Sequence, residues 1–428
     1  MSVADHVMSR VVEPAVLSVY RWRGDPVARW MRPESKADPY PLYEGIRERG
    51  MVRSKLGPWV TASHATASAI LRDRRFSSSP VHQRGYRPPR YAGDDPRAAL
   101  PAADLLTLDP PDHTRIRRLA SGAFTPNAVA SLEPFIRDTA ARLLTQTDPA
   151  GFDLVTALAF PLPIAVICHM LGVPDRDQAR FRTWGHDLAA ALDPATARAA
   201  RADSRKSELA LTAYLHDLVA RRRAEPDGSI LSGLIAVEED GDRLSTAELV
   251  STALLLLVAG FETTVNLIGN GAAALLGENG QEQWRRLAAE PALVPGAVEE
   301  LLRYDSPVQM TSRVATEDLE AGGMLLRKGT PVIVAIGGAN RDPAVFAEPA
   351  RIQIDRPDAA RHLSFSLGMH HCLGSGLARL EGRVAFEELT RRHPGLVLAG
   401  TPVRRPLLVL RGYESIPVRA KTPSASAA

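Results

Sequence analysis

One loop of the sequence carries the residues best suited to chemistry. It reads FSLGMHHCLG over 365–374 and contains one cysteine, Cys372, with glycines at Gly368 and Gly374. Apolar residues at helical spacing follow, so Cys372 lies just before a helix N-terminus. The helix dipole and the free backbone N–H groups at that position favour a thiolate over a thiol. A thiolate approached along glycines, beside the apolar wall of Phe365, can ligate the metal of a flat cofactor such as heme.

Cys372 has other possible uses. A nucleophilic cysteine would need a base, but His370 and His371 precede it in an extended loop and point awkwardly toward the sulfur. A zinc site would need a more usual ligand spacing than one cysteine and two crowded histidines provide. A buried, inert cysteine is the interpretation given to Cys168, which lies in the apolar run 163–170. The heme-thiolate interpretation is favoured, because a soft anionic ligand, glycines and an apolar wall are all present.

A second candidate site lies in a long apolar helix. The pattern S-x-x-E over 245–248 is a capping box, and about thirty residues that are apolar nearly all round follow it. A carboxylate in such a helix, Glu262, is costly unless it is hydrogen-bonded or serves a function. The Thr263 hydroxyl can bond back to the carbonyl of Ala259 and open the helix beside Gly260. The segment is either a structural helix in which Glu262 caps a neighbour or a proton relay with room for a diatomic ligand.

These two motifs together resemble those of the cytochrome P450 family in its soluble bacterial form. The family's loop, F-G-x-G-x-[HR]-x-C-x-G, matches except at Ser366, where the family usually has glycine. The resemblance implies that heme b is bound with Cys372 as the axial ligand and that His370 meets a heme propionate. The family's A-G-x-E-T motif implies that Glu262 feeds protons and Thr263 steadies bound dioxygen. The other motif residues expected at the heme are Phe365, Gly374, Ala259 and Gly260.

An ion pair expected behind the heme also matches the family. The pattern E-L-L-R places Glu300 and Arg303 at i and i+3 on one helix face. Alone, this is an everyday surface pair. The resemblance implies instead a structural ion pair, whose third member is expected to be Arg356, with Arg341 as the alternative.

Propionate-binding residues are expected from two further segments. The segment 109–118 resembles the start of the family's propionate-binding helix, and its His113 and Arg117 are four residues apart and so share a face. Arg313 matches a third propionate contact. The resemblance as a whole covers residues 38–415.

The elements that must position these residues are mostly helical. Periodicity predicts helices at about 126–145, 152–172, 175–224, 245–276, 292–304 and 375–393. Strands are predicted near 50–63, 313–336 and 407–418. With the resemblance, this predicts a mainly α fold: a single large cytochrome P450-type helical domain with a smaller β-rich lobe. We place that domain at 31–418, after an N-terminal segment at 1–30 and before a disordered tail at 419–428.

The substrate pocket is expected to be mostly apolar. A proline- and glycine-rich stretch at 77–107 lacks periodicity, and loops of that length are usually lids or binding loops. The other expected pocket residues are Leu256, Ala259, Val308, Gln309 and Met310. The sequence therefore predicts a hydrophobic or amphipathic small-molecule substrate, such as a natural-product scaffold or a lipid.

The resemblance implies dioxygen activation with two electrons from other proteins. The chain has no cysteine cluster for an iron–sulfur centre and no convincing dinucleotide motif, so the expected partners are a ferredoxin and an NAD(P)H-dependent ferredoxin reductase. We expect docking on the cysteine side, with Arg118 and Arg379 adding positive charge. Two other classes stay open: a heme-binding sensor or carrier without chemistry, and a dioxygen-independent heme-thiolate isomerase or dehydratase.

Composition excludes several protein classes. The chain has 52 basic and 49 acidic residues, a net charge of +3, and no concentration of basic residues that would indicate nucleic-acid binding. Its longest fully apolar stretch, 253–261, is too short to cross a bilayer. Two cysteines in a chain of 428 residues fit a reducing compartment. We therefore expect a cytoplasmic protein without a membrane span.

Overall fold

The chain is mainly helical throughout the residues that the computed structural model describes, 13–86, 105–191, 198–239 and 242–420. The α-helices of these residues are, in chain order, α1 (Glu13–Trp22), α2 (Pro26–Trp30), α3 (Pro33–Ala37), α4 (Tyr40–Arg47), α5 (His64–Arg72), α6 (Asp112–Ser121), α7 (Pro126–Ala130), α8 (Glu133–Thr145), α9 (Pro161–Leu171), α10 (Gln178–Ala191), α11 (Arg198–Ala224), α12 (Ile230–Ala236), α13 (Thr246–Leu276), α14 (Gln281–Ala289), α15 (Val294–Tyr304), α16 (Ile336–Ala339) and α17 (Ser375–Arg392).

The strands are short and come from distant parts of the chain. They are β1 (Met51–Arg53), β2 (Trp59–Thr61), β3 (Phe76–Ser77), β4 (Phe152–Asp153), β5 (Glu238–Glu239), β6 (Asp242–Arg243), β7 (Thr311–Ala315), β8 (Leu319–Ala321), β9 (Met324–Leu326), β10 (Pro331–Val334), β11 (Leu396–Leu398), β12 (Val403–Arg404), β13 (Tyr413–Ser415) and β14 (Pro417–Ala420). The predicted fold class, mainly helical with a smaller β-rich lobe, is confirmed.

Helix α13 runs through the centre of the larger apolar core. Ser245 accepts a hydrogen bond from the backbone of Glu248, whose carboxylate accepts one from the backbone of Ser245 at 2.8 Å, so the predicted capping box is present. The helix packs against α9, α10, α11, α15 and α17. Among the described residues it is the one helix long and apolar enough to cross a membrane, and 61% of its apolar window is buried inside the fold. Its apolarity thus matches its place in the protein core.

A five-stranded sheet forms the centre of the β-rich lobe. Its order is β1-β2-β10-β7-β3, and β2 pairs with β10 in parallel while the other pairs are antiparallel. Successive side chains of a strand point to opposite faces. Accordingly, Val332 and Val334 belong to one apolar cluster, whereas Ile333 packs against another that includes Val60. The sheet therefore has apolar contacts on both faces.

Asp305, which follows α15, connects both ends of the described chain. Its carboxylate accepts hydrogen bonds from the hydroxyl of Tyr40 at 2.8 Å, from Arg411 at 2.7 Å and from Arg404 at 2.8 Å. The Arg411 guanidinium also donates to the carbonyls of residues 36 and 37 at 2.9 and 2.8 Å. Burial opposes ionisation of Asp305, but Arg411 and Arg404 outweigh it and hold its pKa below the usual range. This charge cluster anchors the segment after β12.

The structure divides three segments that periodicity predicted as single helices. The segment 126–145 forms α7 and α8, with Pro134 in the first turn of α8. The segment 152–172 forms β4, a π-helical turn and then α9, whose first residue is Pro161. The segment 175–224 forms α10 and α11. Proline lacks a backbone N–H and starts a helix more readily than it continues one, which explains the first two divisions.

The N-terminal segment packs onto the domain. Trp30 is 2% exposed, and its ring meets Tyr43 edge-on at 5.2 Å. The predicted boundary between 1–30 and 31–418 therefore falls inside a packed cluster, because α2 belongs to the same core as α4.

Two other predicted segments lie partly outside the described residues. The predicted tail at 419–428 is described only at its first two residues, which belong to β14 and pair with β11. Residues 421–428 lie outside the described part of the chain, as do residues 87–104 of the predicted binding loop at 77–107.

Candidate active site

The cysteine loop folds back on itself before α17. The backbone N–H of Cys372 donates to the carbonyl of Phe365 at 2.8 Å, and that of His371 donates to Gly368 at 3.1 Å. Gly368 has a φ of 69°, and a Cβ there would collide with the backbone carbonyl of Leu71. The loop therefore needs glycine at this turn. Helix α17 begins shortly after Cys372, with Gly374 at its N-cap position, as predicted.

The Cys372 thiol is accessible, yet protein atoms surround it closely. Its residue is exposed, but burial raises the pKa of its thiol, while the backbone N–H of Gly374 and the guanidiniums of Arg117 and Arg379 lower it. The net direction for the protein alone is upward, and the thiolate expected from the sequence stays a prediction for the metal-bound form. The Gly374 N–H, Arg117 and Arg379 lie where they would stabilise a thiolate. In the protein alone, their combined effect is smaller than the effect of removing the sulfur from water.

Ser366 occupies the left-handed region of backbone space. Its φ is 58°, a conformation that costs a non-glycine residue about 1–2 kcal/mol. Its backbone N–H donates to Leu363 at 2.8 Å, and its hydroxyl accepts a long hydrogen bond from Arg313 at 3.4 Å. Glycine, expected here from the resemblance, adopts this conformation without the steric cost. The departure from the pattern therefore puts a strained serine beside a predicted propionate ligand.

Two histidines predicted to meet propionates lie side by side. The rings of His113 and His370 are 4.4 Å apart, and Nε2 of each is buried without a hydrogen-bond partner. Burial, Arg313 and His113 together lower the pKa of His370 to about 4. Burial and Arg117 lower the pKa of His113. Both rings thus keep an N–H or a lone pair that the protein alone does not satisfy.

The predicted arginines complete a positively charged cradle around these rings. Arg117 donates to the carbonyl of His371 at 2.6 Å, and Arg313 donates to Ser312 at 2.7 Å. Within the described residues, neither guanidinium has a carboxylate within 4.0 Å. Burial lowers the pKa of Arg313 to about 10, although Asp109 raises it. A buried arginine and a half-buried one, both without a carboxylate in contact and near unpartnered imidazoles, fit the two carboxylates of a heme.

The back-bond that the sequence predicts from Thr263 is present in helix α13, which stays continuous over Thr246–Leu276. The hydroxyl of Thr263 donates to the carbonyl of Ala259 at 2.7 Å, and that of Thr264 donates to Gly260 at 3.0 Å. Gly260 is exposed, although Glu262 and its neighbour Phe261 are buried. Helix α13 therefore exposes bare backbone at Gly260, in the middle of a helix whose carboxyl-terminal half is buried in the core.

Glu262 has a partner that the sequence analysis missed. Its carboxylate is fully buried and forms a close ion pair with the guanidinium of Arg405, from the segment after β12. The pair lacks hydrogen-bond geometry, since both Glu262 oxygens have no hydrogen-bond partner. Arg405 also contacts Nδ1 of His186 on α10 at 3.1 Å. Nothing in the local sequence around Arg405 indicates this contact, which depends on how distant segments pack.

Comparisons with known proteins identify the family. A family model described as Cytochrome P450 matches residues 272–394. The vitamin D(3) 25-hydroxylase of Pseudonocardia autotrophica is 41% identical over 394 residues, which cover 89% of this chain and 93% of that protein. The 6-deoxyerythronolide B hydroxylase of Saccharopolyspora erythraea is 40% identical over 396 residues, with 89% and 96% covered.

This chain belongs to the cytochrome P450 family. The crystal structure of P450BioI in complex with an acyl carrier protein ligated to hexadec-9Z-enoic acid matches it with a TM-score of 0.83 at 36% identity, covering 91% of this chain and 99% of that one. The predicted P450 fold is therefore confirmed. Named relatives are P450 hydroxylases and monooxygenases, so the chain is a heme-thiolate monooxygenase.

The ion pair expected of a P450 is fully buried. Arg303 donates to the Glu300 carboxylate at 2.6 and 2.8 Å, and Arg356 donates to it at 3.1 and 3.2 Å. Arg356 therefore occupies the third position. Arg341, the alternative, lies over the ring of Tyr40 at 3.4 Å and donates to Tyr304. Both arginines at Glu300 also bind carbonyls of residues 340–351, so the triad organises the loop that precedes the cysteine.

The expected pocket residues of this P450 have different surroundings in the structure. Gln309 is 1% exposed, and its amide accepts from the Tyr43 hydroxyl at 2.9 Å and donates to Ser306 at 2.8 Å. Its amide is thus committed to the protein. Met310 packs against the cluster that contains Trp30 and Tyr43. Leu256 is half-buried on α13 beside Ala259, and Val308 pairs with Leu410 through a backbone bridge. Their roles in substrate binding stay predictions.

Proposed function

We propose that this P450 hydroxylates or epoxidises a hydrophobic small molecule in the cytoplasm, with dioxygen and with two electrons from a ferredoxin and an NAD(P)H-dependent ferredoxin reductase. The observation that carries the proposal is the presence of a buried carboxylate, Glu262, next in sequence to the Thr263 hydroxyl and close to the exposed Gly260 of α13. A sensor or carrier has no need of a buried acid there. The names of two relatives, a vitamin D(3) 25-hydroxylase and a 6-deoxyerythronolide B hydroxylase, support a hydrophobic substrate.

The residues of the cradle would hold the cofactor. Cys372 would supply the thiolate ligand, Arg117 and Arg313 would neutralise the propionates, and His113 and His370 would hydrogen-bond them. A thiolate-ligated heme, when bound, supplies dioxygen binding and O–O cleavage. The Cys372 ligand itself is fixed by the 2.8 Å hydrogen bond from its backbone to Phe365.

Glu262 and Thr263 would handle the protons. The Thr263 hydroxyl already donates its hydrogen to the carbonyl of Ala259. Its oxygen lone pairs point away from that bond and can accept a hydrogen bond from another donor. Glu262 holds its carboxylate next to Arg405, which stabilises the charged form between proton transfers. Glu262 can then exchange protons with water near Thr263, and the buried position keeps bulk solvent from the reacting atoms.

Arg379, one of the two arginines predicted to receive the electron donor, is paired within the protein. It donates to both carboxylate oxygens of Glu299 at 2.6 and 3.0 Å and lies 4.5 Å from the ring centre of Phe365. Its charge is therefore largely balanced within the protein. We propose that an acidic ferredoxin docks on the surface that carries Arg379 and Arg118, with Arg379 contributing less than its formal charge.

The function is tested first by spectroscopy on purified protein. Reduced, carbon-monoxide-treated protein should show the far-red-shifted Soret band of thiolate ligation, and Cys372→Ser should abolish it. Cys168→Ser is the matched control, because Cys168 is the other free cysteine and is buried in the apolar core. Loss of the band in both variants, or its absence from the parent, would contradict the assignment.

The reaction class is tested with labelled dioxygen. A substrate is found by screening apolar compounds for a shift of the ferric heme spectrum. Product formed with that substrate, reductase and ferredoxin should contain one atom of ¹⁸O from ¹⁸O₂. Product under strict anaerobiosis without reductant would favour the isomerase class, and binding without any product would favour a sensor.

A further inference from the structure

Large apolar side chains are exposed at the amino-terminal end of the described chain. Trp22, the last residue of α1, is 84% exposed, and Val19, on the same helix, is 49% exposed. Residues three positions apart share one face of a helix, so these two side chains form one apolar surface. Among the large apolar residues that the structure describes, Trp22 is the most exposed. Such a surface is typical of a site of interaction.

The turn between β1 and β2 extends this surface. Asp25, the N-cap residue of α2, accepts a hydrogen bond from the Ser54 hydroxyl at 3.0 Å and one from the backbone N–H of Lys55 at 2.6 Å. Because Asp25 follows Trp22 by three residues, these bonds hold the turn near the end of α1. Leu56, in that turn, is 37% exposed. We define the amino-terminal face as Val19, Trp22, Arg23, Lys55 and Leu56.

Basic side chains on and beside the amino-terminal face lack counter-charges. Arg23 and Lys55 are exposed, and so are Arg29 on α2 and Arg53 on β1. Within the described residues, none of the four has a carboxylate within 4.0 Å. Asp25, between them, is buried and committed to the β1–β2 turn. The surface therefore combines exposed apolar side chains with unpaired positive charge.

This combination fits an anionic lipid surface better than other partners. Indole side chains are favourable at the level of lipid headgroups, and lysine and arginine are attracted to anionic headgroups. A symmetric dimer through this face would bring the same cations of two copies together, without carboxylates to offset them. A nucleic acid would offset the cations but would offer no apolar phase to Trp22 and Val19.

We propose that the amino-terminal face binds peripherally to membranes that contain anionic lipid, with Trp22 among the headgroups and Arg23 and Lys55 against the phosphates. Helix α1 has ten residues and lies on the surface of the membrane rather than across it. Binding is independent of the proposed reaction, so its tests need neither substrate nor electron donor. Together with the proposed function, it places the enzyme where apolar small molecules concentrate.

Cosedimentation with lipid vesicles tests the binding itself. The full-length, heme-loaded protein should bind vesicles of mixed phosphatidylglycerol and phosphatidylcholine at least about tenfold more tightly than vesicles of phosphatidylcholine alone. Added NaCl should weaken the binding to the anionic vesicles, because salt screens the charges. Failure to bind the anionic vesicles, or equal binding to both kinds, would overturn the proposal.

A pair of double charge reversals distinguishes this face from general attraction of a basic protein. Arg23→Glu with Lys55→Glu should weaken binding to the anionic vesicles at least about tenfold. Arg176→Glu with Arg285→Glu is the matched control, because it changes the net charge equally at two exposed positions outside the face. The control should bind nearly as the parent does. Equal losses in the two double variants would contradict a role for the amino-terminal face.

The apolar contribution has its own matched pair. Val19→Ser should weaken vesicle binding several-fold, since it removes apolar surface from the membrane contact. Val403→Ser is the control, because Val403 lies on β12 and is exposed to nearly the same extent, 51%. The two variants should keep the Tm of the parent. Binding that is unchanged in Val19→Ser, or weakened equally in both, would exclude α1 from the contact.

Quenching by brominated lipid tests the insertion of Trp22. Anionic vesicles that contain phosphatidylcholine brominated on its acyl chains should quench part of the tryptophan fluorescence of the parent. Trp22→Phe keeps a large apolar ring, so it should still bind but lose most of the quenching. The other tryptophans are buried or half-buried, namely Trp30, Trp59, Trp184 and Trp284. Quenching that persists in Trp22→Phe would contradict insertion at this residue.

Sedimentation equilibrium without lipid tests the competing occupant. The protein should have the mass of one chain at every concentration that the vesicle experiments use. A mass of two chains that falls to one in Trp22→Ser, together with no binding to vesicles, would assign the face to a second copy and overturn the proposal.

Discussion

The hydroxyl of Ser366 lies 3.4 Å from the guanidinium of Arg313, on a residue whose φ is 58°. A strained backbone and a long hydrogen bond thus meet at the turn before Cys372, the proposed heme ligand. Arg313 is buried, and its other donors go to Thr311 and Ser312. Ser366 is therefore the one residue of the cysteine loop that the structure shows in contact with this arginine.

Replacing Ser366 with glycine should stabilise the fold and alter the heme environment. Ser366→Gly removes a left-handed non-glycine residue, which should raise the free energy of unfolding by about 1 kcal/mol. It also frees Arg313 from the hydroxyl, so the midpoint potential of the bound heme should shift. The measurements are chemical denaturation and spectroelectrochemical titration.

Glu348→Gly provides the matched control for this substitution. Glu348 also has a positive φ, 45°, but it contacts Arg351 rather than a propionate ligand. Glu348→Gly should stabilise the protein without changing the midpoint potential of the bound heme. Equal shifts of potential in both variants would show that backbone strain, rather than the contact with Arg313, sets the heme environment.

Removal of the Thr263 hydroxyl should uncouple the consumption of reducing equivalents from product. In Thr263→Ala the hydroxyl that bonds back to Ala259 is lost, so proton delivery becomes poorly positioned and a larger share of electrons should yield peroxide. The ratio of product to NAD(P)H consumed should fall by about tenfold or more. Thr264→Ala is the control, since its hydroxyl makes the equivalent bond, to Gly260, one residue along. Equal uncoupling in both variants would point to a general loosening of the helix.

Neutralising Glu300 should severely destabilise the protein. Glu300→Gln leaves the buried charges of Arg303 and Arg356 uncompensated, at a cost of about 3–5 kcal/mol. Thermal unfolding of the variant should therefore occur far below that of the parent, with early proteolysis in 340–356. Asp318→Asn breaks an exposed pair with Arg327 and should cost less than about 1 kcal/mol. Similar losses of stability in the two variants would contradict a structural role for the triad.

Loss of either cradle arginine should weaken heme binding. Arg117→Ala or Arg313→Ala removes a charge-assisted contact, typically about 1.5–3 kcal/mol, so the Kd for hemin should rise by about tenfold or more. Titration of heme-free protein measures this. Arg75→Ala is the control, because Arg75 pairs with Asp73 at the surface. An unchanged Kd in both cradle variants would place the propionates elsewhere.

Acid should weaken the fold through Glu299. Burial opposes ionisation of Glu299, but His362, whose Nε2 lies 3.2 Å from the carboxylate, and the hydrogen bonds and charge of Arg379 outweigh it and lower its pKa to about 2 from 4.5. Burial also lowers the pKa of His362 itself. A carboxyl with a lowered pKa contributes stability that is complete above about 4.5 and is lost as the pH falls toward 2.

The difference in unfolding free energy between the parent and Glu299→Gln should therefore narrow as the pH falls below about 4.5. His362 adds a second loss, since its neutral folded form is disfavoured as the pH drops through 6.5. Denaturant titrations at several pH values measure both. A difference that stays constant across this range would show that the ion pair contributes nothing.

The sequence predicted local features well where a single side chain or a short motif decides them. The capping box at Ser245 and the back-bond from Thr263 to Ala259 needed only local spacing, and both are present. Helix limits were less predictable where proline starts a new helix, as at Pro161. Short helices such as α4 were missed because a helix of few turns has too few residues to show a clear hydrophobic periodicity.

Contacts between distant segments were beyond the sequence. Arg405 meets Glu262 only because the segment after β12 packs on α13, and no local pattern reports this. Gln309 was predicted to line the substrate pocket, but its amide forms hydrogen bonds with Tyr43 and Ser306, which tertiary packing brings next to it. The raised thiol pKa of Cys372 likewise depends on how much protein encloses it, which helix position alone does not reveal.

The charge cluster at Asp305 limits how this enzyme can be re-engineered. Arg404 and Arg411 bracket the segment that covers α13, and both depend on one carboxylate that also holds Tyr40. A loop graft that replaced residues 404–411 would remove Arg404 and Arg411, the counter-charges of Asp305. The amino-terminal helices, which contact the same cluster, would loosen as well. Libraries aimed at new selectivity should keep these two arginines, and Arg405 because it pairs with Glu262, and vary the other residues between positions 404 and 411.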